Sequence, residues 1–206
     1  MILNRRLPSI FLGGILLALA CCSDSINNLS SELFSDEGFS PSVLEKEGVG
    51  LLPTVPGEGT RIQAAEVSTI LDHLFAQKLR PGLFHSSREL TNRFDHDKVL
   101  VAAWSKIAPH ISVHSVTGLE RTKAFGKRLD LRFLLETQIQ MAEEAGGAEQ
   151  VRIFARIFDT VRGRIVWEGV GEGRGYVKLF FPSVPATFKE TASVAAKGLI
   201  AKIFPD

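Results

Sequence analysis

The side chains that could bind a metal ion are few and scattered along the chain. Of the five histidines, His110 and His114 are four residues apart, a spacing that places two imidazoles on one face of a helix. A proline before them and β-branched residues between them argue against a helix there. Asp95-His96-Asp97 offers three donors, but it is also typical of the solvated start of a helix. A zinc site needs three or four converging ligands, so we expect no metal and no cofactor.

Four glycines in alternate positions, near the end of a predicted strand, invite comparison with phosphate-binding loops. They are Gly169, Gly171, Gly173 and Gly175. A dinucleotide-binding loop places its glycines between a strand and the start of a helix, and a Walker loop ends in Lys-Ser or Lys-Thr. Neither follows here. Glycine within a strand more often marks a bulge, a bend or the close approach of another backbone, and we interpret these four residues in that way.

Hydrolysis is the remaining enzymatic alternative. No serine lies in a Gly-x-Ser-x-Gly elbow. Glu136, Glu168 and Glu172 could pair as glycosidase carboxylates, but a chain with 23 acidic residues offers such pairs by chance. We therefore predict a protein that is not an enzyme, and keep an envelope hydrolase or metal-dependent enzyme as an alternative.

The first 22 residues carry the strongest signal in the chain. Two arginines precede an apolar run from Ile10 to Ala20, and small residues lead into Cys21 and Cys22, as in a secretory signal peptide. The apolar run is about half the length that a membrane-spanning helix needs. Ala-Leu-Ala-Cys at 18–21 resembles the lipobox of bacterial lipoproteins. This resemblance implies cleavage before Cys21 and acylation of its thiol, and so a membrane attachment through lipid.

The second cysteine leaves alternatives open. Cleavage before Cys22 is the lesser alternative, because it would leave Cys21 where a small uncharged residue usually stands. A disulfide between the two adjacent cysteines would be strained, and Cys22 could pair with another chain or stay free. In Gram-negative lipoproteins an aspartate directly after the lipidated cysteine resembles an inner-membrane retention signal. Cys22 takes that position here, which implies, for a Gram-negative host, the outer membrane and its periplasmic face.

Charge and composition divide the chain into three parts. Residues 1–20 are the predicted lipoprotein signal peptide, and their removal changes the formal charge from +1 to −1. A chain this close to neutral, without basic runs, has no electrostatic footprint for nucleic acid. Residues 21–47 are rich in Ser, Asn, Asp and Glu, which predicts a lipidated amino terminus and a flexible tether. Residues 48–206 predict a single globular periplasmic domain.

Hydrophobic periodicity predicts an α+β fold for this domain. A short strand at 49–53 precedes a helix that a Thr60–Gln63 capping box begins, and a second short strand is expected at 83–85. Two helices follow, one over residues 100–107 and one from Thr117 to Leu129. Three strands then alternate over 131–141, 151–158 and 164–176, and Thr187 and Glu190 cap a last helix. The order β-α-(β)-α-α-β-β-β-α predicts a small mixed or antiparallel sheet with helices packed on it.

Three aromatic residues are candidates for contact with a partner. Phe180 and Phe181 lie in a connection bounded by prolines, where they could be exposed and bind a partner or a bilayer. The simpler interpretation, which we favour, is that they pack under the last helix. Trp167, in the last long strand, is the third candidate.

The stretch from Val151 to Glu168 resembles a recurring pattern of bacterial envelope lipoproteins. In the group that includes the curli-secretion lipoprotein and the penicillin-binding-protein activators, a strand ends in an Asp-containing turn with Gly and returns through an aliphatic pair to Trp-Glu. The segments 50–54, Gly-Leu-Leu-Pro-Thr, and 125–129, Phe-Gly-Lys-Arg-Leu, resemble the same group. The resemblance implies a small domain that works by protein contact and sometimes by ring assembly. No pair of spare ~10-residue lipid-facing strands is present for a pore.

These patterns lead to one functional prediction and to one alternative that the same family resemblance suggests. We expect an outer-membrane lipoprotein, anchored through Cys21, that serves as an interaction or assembly subunit of an envelope or secretion machine. Its partners are expected to be the membrane, through lipid, and envelope proteins. The rival is a ring-forming export component, for which a homo-oligomer is expected.

Overall fold

A computed structural model describes residues 25–110, 115–145, 148–177 and 184–205. Its architecture confirms the predicted α+β class. The strands are β1 (Ser25–Asn28), β2 (Ser31–Ser35), β3 (Val49–Leu51), β4 (Phe84–His85), β5 (Phe133–Ala145), β6 (Ala148–Asp159), β7 (Arg164–Val177) and β8 (Val184–Pro185). The helices are α1 (Pro41–Glu47), α2 (Arg61–Lys78), α3 (Ser87–Asp95), α4 (Lys98–Ile107), α5 (Val116–Leu129) and α6 (Phe188–Ile203), with a 3-10 turn at Ala108–His110.

One mixed sheet joins all the described strands. Its order is β1-β7-β6-β5-β3-β4, with β2 and β8 also paired to β7. Strands β5, β6 and β7 form an antiparallel meander, whereas β3 runs parallel to both β4 and β5. The meander is built from alternating sequence. Ile153, Ala155 and Ile157 point to one buried layer, while Phe154 and Arg156 point to the opposite face.

Helices cover both faces of the sheet. On one face, α2 and α6 pack against the meander through apolar residues such as Leu71, Phe75 and Leu199. On the other face, α3, α4 and α5 share a second apolar cluster. Phe94, Trp104 and Phe125 form its aromatic centre, with ring centroids 5.4–6.2 Å apart. The sheet is therefore a buried central layer between two groups of helices.

The glycines of β7 let helix α6 come unusually close to the sheet. A Cβ at Gly171 would lie 2.3 Å from the carbonyl oxygen of Ala195, and one at Gly173 would lie 2.4 Å from that of Thr191. Both oxygens belong to the backbone of α6, so only glycine fits at these two positions. The interpretation of these glycines as a place of close backbone approach is confirmed.

The amino-terminal part of the described chain differs from prediction. Residues 25–47 do not form a flexible tether, because β1 and β2 pair along the edge of β7 and α1 packs Leu44 into the core. The prediction of a tether rests on the polar composition of this segment. Strand pairing through backbone hydrogen bonds does not need apolar side chains, however, and a sheet edge accepts a polar strand.

The observed helix boundaries can be compared with the capping residues that the sequence predicts. The Thr187–Glu190 capping box begins α6 as predicted. The Thr60–Gln63 box is absent, because the Thr60 hydroxyl donates to the carbonyl of Gly57 at 3.1 Å instead. Helix α5 begins slightly earlier than expected, because Ser115 accepts the backbone N–H of Gly118. Helix α3 is not among the predicted elements.

Candidate functional site

The exposed edge of the sheet is one interrupted strand made of β1 and β2. β1 pairs with residues 173–176 of β7 and β2 with residues 167–170. The interruption is held by side chains: Asn28 Oδ1 accepts the N–H of Ser30 at 3.0 Å, and Ser30 Oγ accepts the N–H of Glu172 at 3.0 Å. Asn28 and Ser30 thus hold the connection between β1 and β2 against β7.

This edge exposes three large apolar side chains close together in sequence. The exposed fractions are 53% for Leu29, 57% for Leu33 and 44% for Phe34. The register shifts between Glu32 and Phe34, so Leu33 is a bulged residue outside the regular pairing. Within the described ranges, no strand pairs with the outer side of β2. Exposed apolar side chains along an unpaired edge are typical of a protein-contact surface, and we name these three residues the edge patch.

Trp167 is not part of that surface. Its side chain is 1% exposed, and its indole Nε1 donates to Glu32 Oε2 at 2.9 Å. The prediction of Trp167 as a contact residue is therefore wrong for this structure: β2 covers the ring, which joins the core beneath α6. The other predicted site residues, Cys21, Phe180 and Phe181, lie outside the described residues.

A row of buried charges crosses the three central strands. Arg156 of β6 lies opposite Glu136 of β5 on one side and Glu168 of β7 on the other. All three side chains are buried. Arg156 Nε donates to Glu136 Oε2, and Thr122 of α5 donates to Glu136 Oε1 at 3.3 Å. Two buried carboxyl groups thus flank one buried guanidinium, and we name Glu136, Arg156 and Glu168 the charge row.

The pKa of Glu136 is shifted by its buried position in the charge row. Burial raises that pKa above its ordinary value of 4.5, and the charge of Glu168 acts in the same direction, whereas Arg156 and Thr122 oppose them. A group whose pKa is raised by folding holds more protons in the folded state. Its contribution to stability is therefore complete below the ordinary pKa and is lost as the pH rises through the folded-state pKa.

We accordingly expect the Glu136→Gln substitution to flatten the pH dependence of stability. The amide oxygen can still accept from Arg156, its NH2 group can donate to the Thr122 hydroxyl, and the amide has no carboxyl proton to lose. Denaturant unfolding at a series of pH values above 4.5 should show the wild type losing stability with rising pH more steeply than the variant. Glu143→Gln, at an exposed position of the same strand β5, is the matched control and should follow the wild type. Parallel pH profiles for wild type and Glu136→Gln would contradict this assignment.

A large groove lies between α2 and α3, beyond the carboxyl end of β3. It has a volume of about 750 Å³. Four of its polar side chains are engaged in pairs: Ser68 Oγ donates to Thr54 Oγ1 at 2.9 Å, and Asp72 accepts the N–H and the hydroxyl of Ser87 at 2.7 and 2.6 Å. Burial raises the pKa of Asp72, although these hydrogen bonds oppose the change. Asp72 thus caps the start of α3, and the network holds α2 and α3 to the sheet.

A second groove, of about 520 Å³, separates α4 from α5. Its floor is apolar, formed by alanines and Phe125, and its rim is basic, formed by Lys106, Arg121 and Arg128. Arg128 Nη2 lies 2.8 Å from Asp97 Oδ2. This hydrogen bond from Arg128 lowers the pKa of Asp97, whose carboxylate also caps the start of α4. Asp97 is thereby engaged in helix capping and an ion pair.

The histidine-containing motifs do not converge. His110 is exposed in the 3-10 turn, and His114 lies outside the described residues. His96 Nδ1 lies 2.7 Å from the carbonyl oxygen of Asn92, within a helical turn. In the part of the chain that the structure describes, no three residues among His, Cys, Asp and Glu lie close enough to hold a metal ion. In the same ranges, no helix combines the length and the apolar character that crossing a membrane requires.

Comparison with known proteins finds likeness in structure only. No protein-family model matches the chain, and no curated protein sequence does. The fold is similar to that of a PelC dodecamer subunit from Paraburkholderia phytofirmans, with 11% identity, a TM-score of 0.51, and coverage of 84% of this chain and 96% of that one.

Two further solved structures are similar at lower scores. They are lipoprotein GNA1162 from Neisseria meningitidis, with 11% identity, TM-score 0.43 and coverage of 62% and 81%, and the LpoB carboxyl-terminal domain from Salmonella enterica, with 14% identity, TM-score 0.36 and coverage of 66% and 86%. At such identities the PelC match concerns the fold alone.

Proposed function

We propose that this chain is a lipoprotein held at the periplasmic face of the outer membrane by acyl groups on Cys21. In this proposal it is a non-enzymatic interaction or assembly subunit of an envelope or secretion machine. The observation that carries the proposal is the lipobox-like stretch ending at Cys21, only a few residues before the first strand begins at Ser25. Three acyl chains bury enough methylene groups to make such an attachment practically permanent.

The interaction role is supported by the contrast between the groove beside α2 and α3 and the edge patch. In the groove between α2 and α3, the side chains of Thr54, Ser68, Asp72 and Ser87 are engaged in hydrogen bonds within the fold. The edge patch, in contrast, leaves Leu33 and Phe34 exposed beside an edge that no described strand pairs with. Backbone groups on such an edge can pair with a partner strand, and the apolar side chains add burial on contact.

Crosslinking in intact Gram-negative cells, followed by mass spectrometry of co-purified proteins, tests the proposal. We expect specific envelope proteins to be captured by the wild type and lost from Cys21→Ala, because the unacylated form no longer concentrates at the membrane. Cys22→Ser is the matched control and should capture the same proteins as the wild type. Capture of the same envelope proteins by Cys21→Ala would contradict a role that depends on the anchor.

A second candidate function is a closed ring of copies serving export. It is favoured by the similarity in fold to PelC, whose solved form is a dodecamer, over 84% of this chain and 96% of that one. A ring requires a heterologous contact, in which one surface of each copy meets a different surface of the next. The edge patch is our candidate for one of these two surfaces.

We expect the double substitution Leu33→Asp and Phe34→Asp to dissociate any such assembly. Two carboxylates on the edge would have to be desolvated without partners on contact, which opposes association strongly. Native mass spectrometry of protein extracted in mild detergent measures the stoichiometry. Val161→Asp, at a valine that is 65% exposed in the turn between β6 and β7, is the control and should leave the stoichiometry unchanged. An oligomer that survives the double substitution would exclude the edge patch as the contact.

A further inference from the structure

The start of β1 lies at one defined end of the sheet. Ser25 is paired with Tyr176 near the end of β7, and Tyr176 is also paired with Pro185 of β8. Glu149, near the start of β6, is paired with Gly175. We name this the β1 end. The opposite end is the turn at residues 160–163, next to the Asp159–Arg164 pair.

The chain upstream of Ser25 is too short to let the domain move away from an anchored Cys21. Three residues separate Cys21 from Ser25, so four residue steps bridge them and span at most about 14 Å when fully extended. From Gly175 to Arg164 the strand extends about 36 Å, at about 3.3 Å per residue. The two ends of the domain therefore differ in distance from Cys21 by far more than the connecting chain can compensate.

We propose that the β1 end rests on the bilayer surface, with the 160–163 turn pointing away from the membrane; this rests on the proposed acylation of Cys21. Because β1 is hydrogen-bonded into the sheet from Ser25 onward, it adds no length to the three-residue link between the domain and Cys21. The partner of the β1 end is the layer of phospholipid headgroups.

Side chains beside β1 suit contact with that layer. Ile26 lies in a groove of about 410 Å³ with Lys189 and Lys197 of α6, whose ammonium groups are exposed and can approach headgroup phosphates. Glu190 lines the same groove, and Glu144 and Glu149 lie at the adjoining ends of β5 and β6. Because both signs of charge are present, the contact does not require anionic lipid, and phosphatidylethanolamine suffices.

The orientation also restricts the protein partners. The linking chain and the sheet together reach on the order of 50 Å from the membrane surface. Partners of this domain must therefore lie within, or directly beneath, the membrane that holds it. A domain on a flexible tether of about 27 residues would not be restricted in this way.

Energy transfer from the protein to labelled lipid tests the orientation. Full-length acylated protein with Cys22→Ser carries one added cysteine, either Lys189→Cys near the β1 end or Val161→Cys in the far turn, labelled with a donor dye. The vesicles are phosphatidylethanolamine-rich and contain a headgroup-labelled acceptor. We expect strong transfer from position 189 and transfer close to background from position 161. Equal transfer from both positions, or stronger transfer from position 161, would overturn the proposal.

A longer linker is the control for the geometric argument. About twenty Gly and Ser residues inserted between Asp24 and Ser25 add a coil with a root-mean-square length of about 25 Å, and should bring the two transfer signals close together. Flotation of the same samples separates this proposal from the proposed function. Protein that does not float with vesicles refutes the lipid anchor, whereas protein that floats with equal transfer refutes the orientation alone.

Discussion

Replacement of Arg156 by alanine is expected to lower the free energy of unfolding by about 3–5 kcal/mol, the usual cost of removing one partner from a buried ion pair. Arg156 lies between Glu136 and Glu168, and all three side chains are buried. Without the guanidinium, the buried Glu136 carboxyl would lose the hydrogen-bond donor that its Oε2 has in the fold. Such a loss of stability is a large part of the roughly 5–15 kcal/mol that stabilises an ordinary domain.

Denaturant unfolding monitored by circular dichroism measures this change. Arg152→Ala is the matched control, because Arg152 lies on the same strand and pairs with Glu172 from a half-exposed position. An exposed pair of this kind contributes only about 0–1 kcal/mol. If Arg156→Ala were no more destabilising than Arg152→Ala, the charge row would not hold the three central strands together.

The double substitution Gly171→Ala and Gly173→Ala is expected to displace α6 from the sheet and to destabilise the domain severely. Each new methyl group would lie less than 2.5 Å from a backbone carbonyl oxygen of α6, at Ala195 and at Thr191. A backbone oxygen cannot rotate away as a flexible side chain can. Overpacking of this kind costs about 1–3 kcal/mol at each site, and the two sites share one helix, so their effects need not be additive.

The midpoint of thermal unfolding, together with the denaturant midpoint, measures the effect. Gly38→Ala is the control, because the nearest atom to its added methyl group would be a movable Asp36 side-chain oxygen at 3.3 Å. It should change the free energy of unfolding by less than about 0.5 kcal/mol, as exposed substitutions usually do. A double variant as stable as the wild type would mean that α6 does not pack closely on β7.

The fold is predictable where side-chain pattern and backbone geometry agree. The meander β5–β6–β7 follows from alternation that places one row of apolar residues in each layer, and α6 follows from the Thr187–Glu190 box. Helix α3 escapes prediction because most of its residues are polar. Ser86, whose hydroxyl accepts the N–H of Glu89, is followed by Glu89 in the Ser-x-x-Glu pattern that could have identified it.

The interaction surface is less predictable, because it depends on pairing between distant parts of the chain. Trp167 is an attractive contact residue in the sequence, and only the position of Glu32, 135 residues earlier, shows that the indole is covered. Leu33 and Phe34 are ordinary residues of a polar segment until β2 is placed on an open edge. Local sequence patterns carry no information on such nonlocal contacts.

The contacts of the charge row are another feature that local sequence patterns do not reveal. Residue type alone makes Glu136 and Glu168 candidate carboxylates for glycoside hydrolysis. In the structure each lies opposite Arg156 in the sheet register, and Glu136 is paired with it and with Thr122. Both carboxyl groups are therefore buried beside one arginine inside the sheet, and this arrangement is visible only once the strand register is known.

Mass spectrometry of the mature amino-terminal peptide, from protein purified out of the membrane fraction, is the most direct test of the central claim. The account predicts a peptide that begins at Cys21 and carries the mass of its acyl chains, with residues 1–20 absent. The Cys21→Ala form should yield no acylated peptide and should leave the membrane fraction. An unmodified Cys21 in membrane-bound protein, or a mature chain that retains residues 1–20, would contradict the lipid anchor and the function built on it.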